Sequence, residues 1–318
     1  MFVIPVAFLG HAAGLATSVL WTGTSLFFTA AGRRLGPTTV NALRILMAIL
    51  LLGLTHWVTE DRWIPDALPR QVLFLALSGM IGLALGDQAL FTAFVYIGPR
   101  LSMLIMTTAP LFAALFGWLR LGEELGPSAW LGIALVVGGV AWVVLERPVQ
   151  NHGVVNSLRI RGIVLAFIAA ACQAGGLLLS KEGLGHGWLP EGEHMNPQAA
   201  TLLRMSFAGV GMVPIIAWRL WRERRAHAIG EYRQPRRSWR IGLLLTAGGA
   251  VFGPFLGVWM SLEAADKVPL GVAQTLCSLP PVLILPVARL VYHEHISARA
   301  VAGALLAVGG VALLFLPT

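Results

Sequence analysis

Charge is what this chain has least of. Only 12% of its 318 residues are Asp, Glu, Lys or Arg, against roughly 25% in an ordinary soluble domain, and so low a share excludes a single water-facing globule. Cysteine is nearly absent as well. The two present, Cys172 and Cys277, lie inside apolar segments, which excludes a disulfide framework and offers no zinc spacing. No H-E-x-x-H, G-x-S-x-G or G-x-x-x-x-G-K-[ST] motif occurs, so the usual signatures of a zinc protease, a serine hydrolase and an ATP-driven pump are missing. The 23 Lys+Arg exceed the 15 Asp+Glu, yet they sit between apolar segments and form no basic helix or aromatic-basic module, which argues against nucleic acid. The first residues, MFVIPVAFLG, carry no basic n-region and lead into an apolar run without a cleavage site, so they read as a first helix and not a signal peptide.

Apolar sequence fills the space left by charge. Hydrophobic residues make up 57% of the chain and the mean hydropathy is +0.76. Stretches of about 20 apolar residues, enough to cross a bilayer, recur with short polar interruptions. Punctuation by Gly, Pro and charge predicts helices over 5–31, 38–58, 71–96, 100–120 and 128–145. A second set is predicted over 162–180, 198–218, 241–262, 271–291 and 300–316. The longer polar stretches are 146–161, 181–197 and the arginine-rich 219–240.

The two sets match each other. At a constant offset of 171 residues Gly82 meets Gly253, Gly86 meets Gly257, Pro110 meets Pro281, Glu123 meets Glu294 and Gly138-Gly139 meets Gly309-Gly310. At an offset of 160, Arg44 in NALR meets Arg204 in TLLR. The chain therefore reads as a duplication, with halves 1–150 and 151–318. Five spans is an odd number, so the second half enters the membrane from the opposite side. The expected fold is an all-α integral membrane protein of ten transmembrane helices in two inverted five-helix repeats, an arrangement associated with transport through a central site.

The segment from Gly86, GDQALFTAFVYIGPRLSMLIMTTAPLFAALFGWLRLGEELGPSAWLGIALVVGGV, with its weaker echo from Gly253 to Val311, resembles the EamA domain of the drug/metabolite transporter superfamily. A Pro-containing run, a Gly-Glu step and a Gly-rich final helix carry the resemblance. The first half keeps Gly122-Glu123, while His293-Glu294 departs from it in the glycine. The resemblance implies a multi-pass secondary transporter of the cytoplasmic (inner) membrane, moving amino acids, metabolites or drugs, often outward.

Few residues inside the apolar spans carry chemistry. Asp87 and Gln88 lie well inside the third span, where a charge costs about 2.5 to 3.5 kcal/mol on insertion scales. Asp87 reads either as a protonatable or substrate-contacting carboxylate or as half of a structural ion pair. Arg44 and Arg204 are its natural partners, or else snorkel to the interface, and Asn41 stands three residues before Arg44 on the same face. Trp21, Tyr96, Gln173, Trp259 and Gln274 could line a mixed polar and aromatic cavity, though each singly is more often packing. Gly82 and Gly86, like Gly253 and Gly257, form small-xxx-small steps for close helix approach. Pro110 and Pro281 kink helices four and nine, with Thr107, Thr108 and Ser278 placed to satisfy the freed carbonyls.

Glu123 and Glu294 read as interfacial caps. His293 and His295, two apart, do not share a helix face. His186, Glu191, Glu193 and His194 share a polar stretch and read as solvated. No metal site and no cofactor is expected. The expected partners are a small-molecule substrate, protons as coupling ion and membrane lipid, with the oligomeric state left open.

Arginines concentrate in the loops after odd-numbered helices, chiefly from Arg219 to Arg240. By the positive-inside rule that side is cytoplasmic and both termini are exoplasmic, whereas the family resemblance implies cytoplasmic termini. Alternating-access transport, most often export, is the leading function. Lipid or amphiphile flipping is the alternative, and a membrane enzyme or sensor the rival from another class.

Overall fold

The computed structural model describes residues 5–144, 156–186, 194–228, 239–280, 282–283 and 298–314, and among these every regular element is helical. Helix α1 (Val6–Leu35) ends at Gly36, whose φ of 82° lets the chain reverse, and Pro37 starts α2 (Pro37–Glu60). Proline there sacrifices a backbone N–H that has no helical partner anyway. Asp61, at φ 55°, closes α2. The next helix, α3 (Pro69–Ser78), again starts on proline, and Gln71 Oε1 accepts the Leu68 N–H at 2.9 Å. It runs without interruption through a wide π-helical segment, Gly79–Gly86, into α4 (Asp87–Met106). Then come α5 (Ala109–Phe116) with a π turn over Gly117–Leu121, α6 (Pro127–Val144), α7 (Asn156–Gly183) and α8 (Pro197–Ala228). Helix α9 (Trp239–Ala250) continues through a second π segment, Val251–Gly257, into α10 (Val258–Lys267). The described chain closes with α11 (Leu270–Cys277) and α12 (Ala298–Leu314).

Six of the helical spans among the described residues are long and apolar enough to cross a membrane, and three shorter apolar helices accompany them. The protein is a multi-pass membrane protein. Large apolar side chains such as Leu50, Leu73, Val213 and Leu244 are exposed along these spans, as expected of surfaces that face lipid.

Besides an earlier start of α7, at Asn156 against the expected 162, and a later end of α10, at Lys267 against the expected 262, three boundaries differ from the sequence reading. The expected break at 97–99 is absent as a break in helix. The backbone stays helical to Met106 and opens at Thr107-Thr108, so Pro110 starts a new short helix instead of kinking helix four. The proline explains the position, since it cannot supply the N–H a continuous helix would need there. The expected helix over 271–291 likewise opens at Ser278-Leu279, the same place at the offset of 171; Pro281 and residues 284–297 lie outside the described residues.

Both openings are repaired locally. Thr108 Oγ1 donates to Ile105 O at 2.7 Å. Ser18 Oγ, reaching over from α1, donates to Leu276 O at 2.5 Å and accepts the Leu279 N–H at 3.2 Å, closing the gap with one hydroxyl. The third difference is α8, expected to end near 218. It extends to Ala228 because its arginines find partners on the helix itself: Arg219 Nε pairs with Glu223 at 2.8 Å, and Arg222 and Arg225 stack on Trp218 and Trp221.

Packing crosses the midpoint of the chain throughout. Helix α1 lies along α9, the second π segment and α10, while α7 lies along α3, the first π segment and α4. Helix α2 pairs with α8, α5 with α11, and α6 with α12. The main apolar core accordingly draws Ile45, Leu52, Leu75, Leu177, Met205, Leu262 and Leu276 from both halves.

Candidate functional site

The two π segments face the two helices they were spaced to meet. A Cβ built on Gly82 would lie 3.3 Å from Gly176 Cα on α7 and 2.9 Å from Arg204 Nη2, and one on Gly86 would lie 2.9 Å from Cys172 Cβ. On the other side Gly253 abuts Thr24, and a Cβ on Gly257 would lie 2.6 Å from Trp21 Nε1. At all four glycines the neighbouring helix comes so close that a side chain would collide with it, in a setting where lipid offers helices no hydrophobic drive to associate. Widened π turns at such crossings often mark functional regions.

Directly after the first π segment stands Asp87, ion-paired to Arg44 of α2. Arg44 is 5% exposed, so it does not snorkel. Its Nε donates to Asn41 Oδ1 at 2.9 Å, the contact expected from the three-residue spacing. Its guanidinium lies 5.7 Å from the Phe28 ring centre and 5.2 Å from that of Phe91. Next to Asp87, Gln88 Nε2 donates to Thr38 Oγ1 at 3.2 Å, tying α4 to the start of α2 a second time. A carboxylate in an apolar span thus finds a cation, an amide and two aromatic faces within one cluster.

Arg204 is placed otherwise. It is 1% exposed, wedged where α8 crosses the first π segment so closely that the Gly79 Cα faces the Arg204 carbonyl oxygen. Its Nε and Nη2 have no hydrogen-bond partner, and Gln88 Oε1, Trp259 Nε1 and Gln274 Oε1 are also buried without one. Buried polar atoms are normally satisfied. Five of the six buried side-chain polar atoms without a partner among the described residues belong to side chains nominated from the sequence; the sixth is Glu182 Oε2.

The remaining nominees divide. Trp259 lines a cavity of about 570 Å³ together with Thr55, His56, Gln71, His194 and Gln198, and its ring leans on Phe255 with centres 6.2 Å apart. Trp21 and Gln173 are half-buried on α1 and α7, and Gln274 is buried on α11. Tyr96 packs against a small apolar cluster of Ala93, Ile97, Ile105 and Ala166. Pro110 is buried at the start of α5. Glu294, His293 and His295 lie outside the described residues.

Four polar constellations go beyond the sequence reading. Lys181 belongs to the last turn of α7 and not to a loop. Its Nζ donates to Glu123 Oε1 at 2.5 Å and to Val268 O at 2.7 Å, while Glu123 Oε2 accepts the Leu270 N–H at 2.7 Å. Glu123 is therefore a cap, as expected, but of α11 in the other half. Arg120 pairs with the buried Glu182 at 2.7 Å. On the α2–α8 contact, His56 Nδ1 lies 3.1 Å from Gln198 Oε1, and Gln198 Nε2 donates to Leu52 O at 2.9 Å. Finally His186 and His194, expected to be solvated, both place Nε2 on one oxygen of Asp266, at 2.8 and 2.6 Å.

Comparison with known proteins adds the lineage. A family model, the EamA-like transporter family, matches twice, over residues 8–145 and 160–316. The permease-like protein YdzE of Bacillus subtilis strain 168 is 42% identical over 38 residues, which cover 12% of this chain and about half (49%) of that protein. A crystal structure superposes with a TM-score of 0.70 at 16% identity, covering 96% of each chain, a likeness of fold alone. With both stretches matched, the chain belongs to the EamA-like transporter family, within the drug/metabolite transporter superfamily of multi-pass membrane proteins.

Proposed function

We propose that this protein is a secondary transporter that moves small polar or zwitterionic solutes, such as amino acids, out across the cytoplasmic membrane by alternating access. The observation that carries the reading is the set of buried, unpartnered polar atoms on Gln88, Arg204, Trp259 and Gln274. A permanent core would leave such atoms costly, whereas a polar solute held among them supplies their partners for part of a cycle. Export itself rests on the family resemblance.

The proposed architecture is ten helices in two inverted repeats, 1–150 and 151–318. The two family matches, the cross-paired helices and the matching π segments at the offset of 171 support it. In that arrangement the cavity at Trp259 opens past Glu60, Arg62 and Asp66 to one face. The Arg44–Asp87 pair ties α2 to α4 as a latch nearer the other face. Protonation of Asp87 would release Arg44 and couple solute movement to a proton.

Reconstituted vesicles with an imposed pH gradient test the proposal. Labelled amino acids should move in a gradient-dependent way with the wild type and not with Asp87→Asn, while the variant still inserts and folds. Solute flux unchanged by Asp87→Asn would remove proton coupling through that carboxylate. Lipid scrambling in the same vesicles without solute flux would favour amphiphile flipping.

A further inference from the structure

The cluster of His186, His194 and Asp266 takes no part in the transport reading, and its donor set is that of a metal centre. We propose that these three side chains form a binding site for a divalent transition-metal ion of the zinc type at the rim of the cavity. The two Nε2 atoms and Asp266 Oδ1 all lie within 4.8 Å of one another. Tetrahedral zinc with bonds of about 2.0 to 2.2 Å spaces its donors at about 3.3 Å. A small rotation of the imidazoles, which are 34% and 53% exposed, covers the difference.

The backbone around the site is fixed. Gly185, at φ 108°, turns the chain out of α7. The His186 N–H is held by Lys181 O at 3.2 Å, and the Met195 N–H beside His194 by Leu184 O at 3.0 Å. Leu184 and Met195 are buried, so the described backbone beside each histidine is held in the core. Asp266, 8% exposed, keeps its other oxygen for Lys267 Nζ at 3.2 Å, and that lysine is drawn off toward Glu263 at 2.5 Å. Oδ1 is thereby left to the imidazoles, whose rings meet edge to face at 89°.

Two nitrogens and one carboxylate oxygen suit zinc, copper or nickel and not magnesium or calcium, which favour all-oxygen shells. Three protein ligands leave a fourth position for water or a solute group. His194 also lines the cavity, so an ion here would pin the turn before α8 to the end of α10 at its mouth.

The test is calorimetric titration of the tag-free full-length protein in detergent with zinc chloride, paired with thermal unfolding. The expected result is saturable binding of about one ion per chain, with a raised unfolding midpoint in zinc and none in magnesium chloride. Affinity should fall at least about tenfold in His194→Ala and in Asp266→Asn. It should hold within about twofold in the double variant His293→Ala, His295→Ala. His194 is the most exposed ligand, so its removal leaves a folded protein in which the result can be read. No saturable binding, an equal response to magnesium, or binding that survives His194→Ala would each overturn the site and leave only an Asp–His hydrogen-bonded cluster.

Discussion

Arg44 and Arg204 occupy matching places in the two halves, and the fold treats them in opposite ways. Around Arg44 lie an ion-paired Asp87, the Asn41 amide and the faces of Phe28 and Phe91. Around the Arg204 guanidinium lie Gly82 and Gly176, with Nε and Nη2 unpartnered. The sequence carries the same residue at both places. The difference arises because Asp87 has no counterpart in the second half, where Val258 stands at the offset of 171. One arginine is thereby ion-paired, and the other is a buried cation with Nε and Nη2 left without a hydrogen bond.

The largest effect should come from breaking the satisfied side. Arg44→Met strands Asp87 in a low-dielectric setting and should lower unfolding stability by about 3 kcal/mol. Chemical denaturation in detergent reads this directly. The double variant Arg44→Met, Asp87→Leu should recover most of the loss, because removing both partners also removes the cost of desolvating them. Failure to recover would mean that Arg44 stabilises through the aromatic faces and Asn41 more than through the acid.

Asp87→Asn should cost less, about 1.5 kcal/mol, since a charge-assisted bond becomes a neutral one of similar volume. Its effect on flux should far exceed its effect on stability. A flux that keeps both its rate and its pH dependence would return Asp87 to a purely structural role. Smaller again, Gly82→Ala should cost about 1 kcal/mol by overpacking, because the new methyl meets Arg204 Nη2 at 2.9 Å and that end of the side chain can yield. Its measurable sign is a change in solute affinity larger than the change in unfolding midpoint.

Much of this geometry was written locally. Asn41 and Arg44 meet because residues three apart share a helical face, and Gly82, Gly86, Gly253 and Gly257 bring helices close because nothing else on those faces permits it. Asp87 announced a partner because a carboxylate cannot stand alone in an apolar span. Long-range pairings carry no such signal. Nothing around Lys181 says that it reaches Glu123 and the Val268 carbonyl, 58 and 87 residues away along the chain. His186 and His194 looked solvated because Asp266 is far along the chain. The break expected at 97–99 lies instead at Thr107-Thr108, for a similar reason. Proline weakens continuation without forbidding it, as Pro214 inside α8 shows, and whether the chain bends within a helix or begins a new one depends on neighbours. At the second opening the neighbour is Ser18, more than 250 residues away.

The smallest expected change in stability, and the one that most sharpens the contrast, is at Arg204. Exchanging it for methionine keeps an unbranched side chain of comparable reach while removing a cation that has no bond at Nε or Nη2. The desolvation cost of the charge disappears with the charge, so the unfolding midpoint of Arg204→Met should stay level or rise slightly, opposite in sign to Arg44→Met. Solute flux should nevertheless fall by at least about tenfold, equivalent to about 1.4 kcal/mol of lost interaction, because the group that waits for a partner is gone. If stability falls as far as in Arg44→Met, Arg204 is a structural element whose contacts to the glycine crossing hold the bundle together. If flux is unchanged at full stability, the solute finds its partners elsewhere, and Gln274 and Trp259 become the groups to alter next.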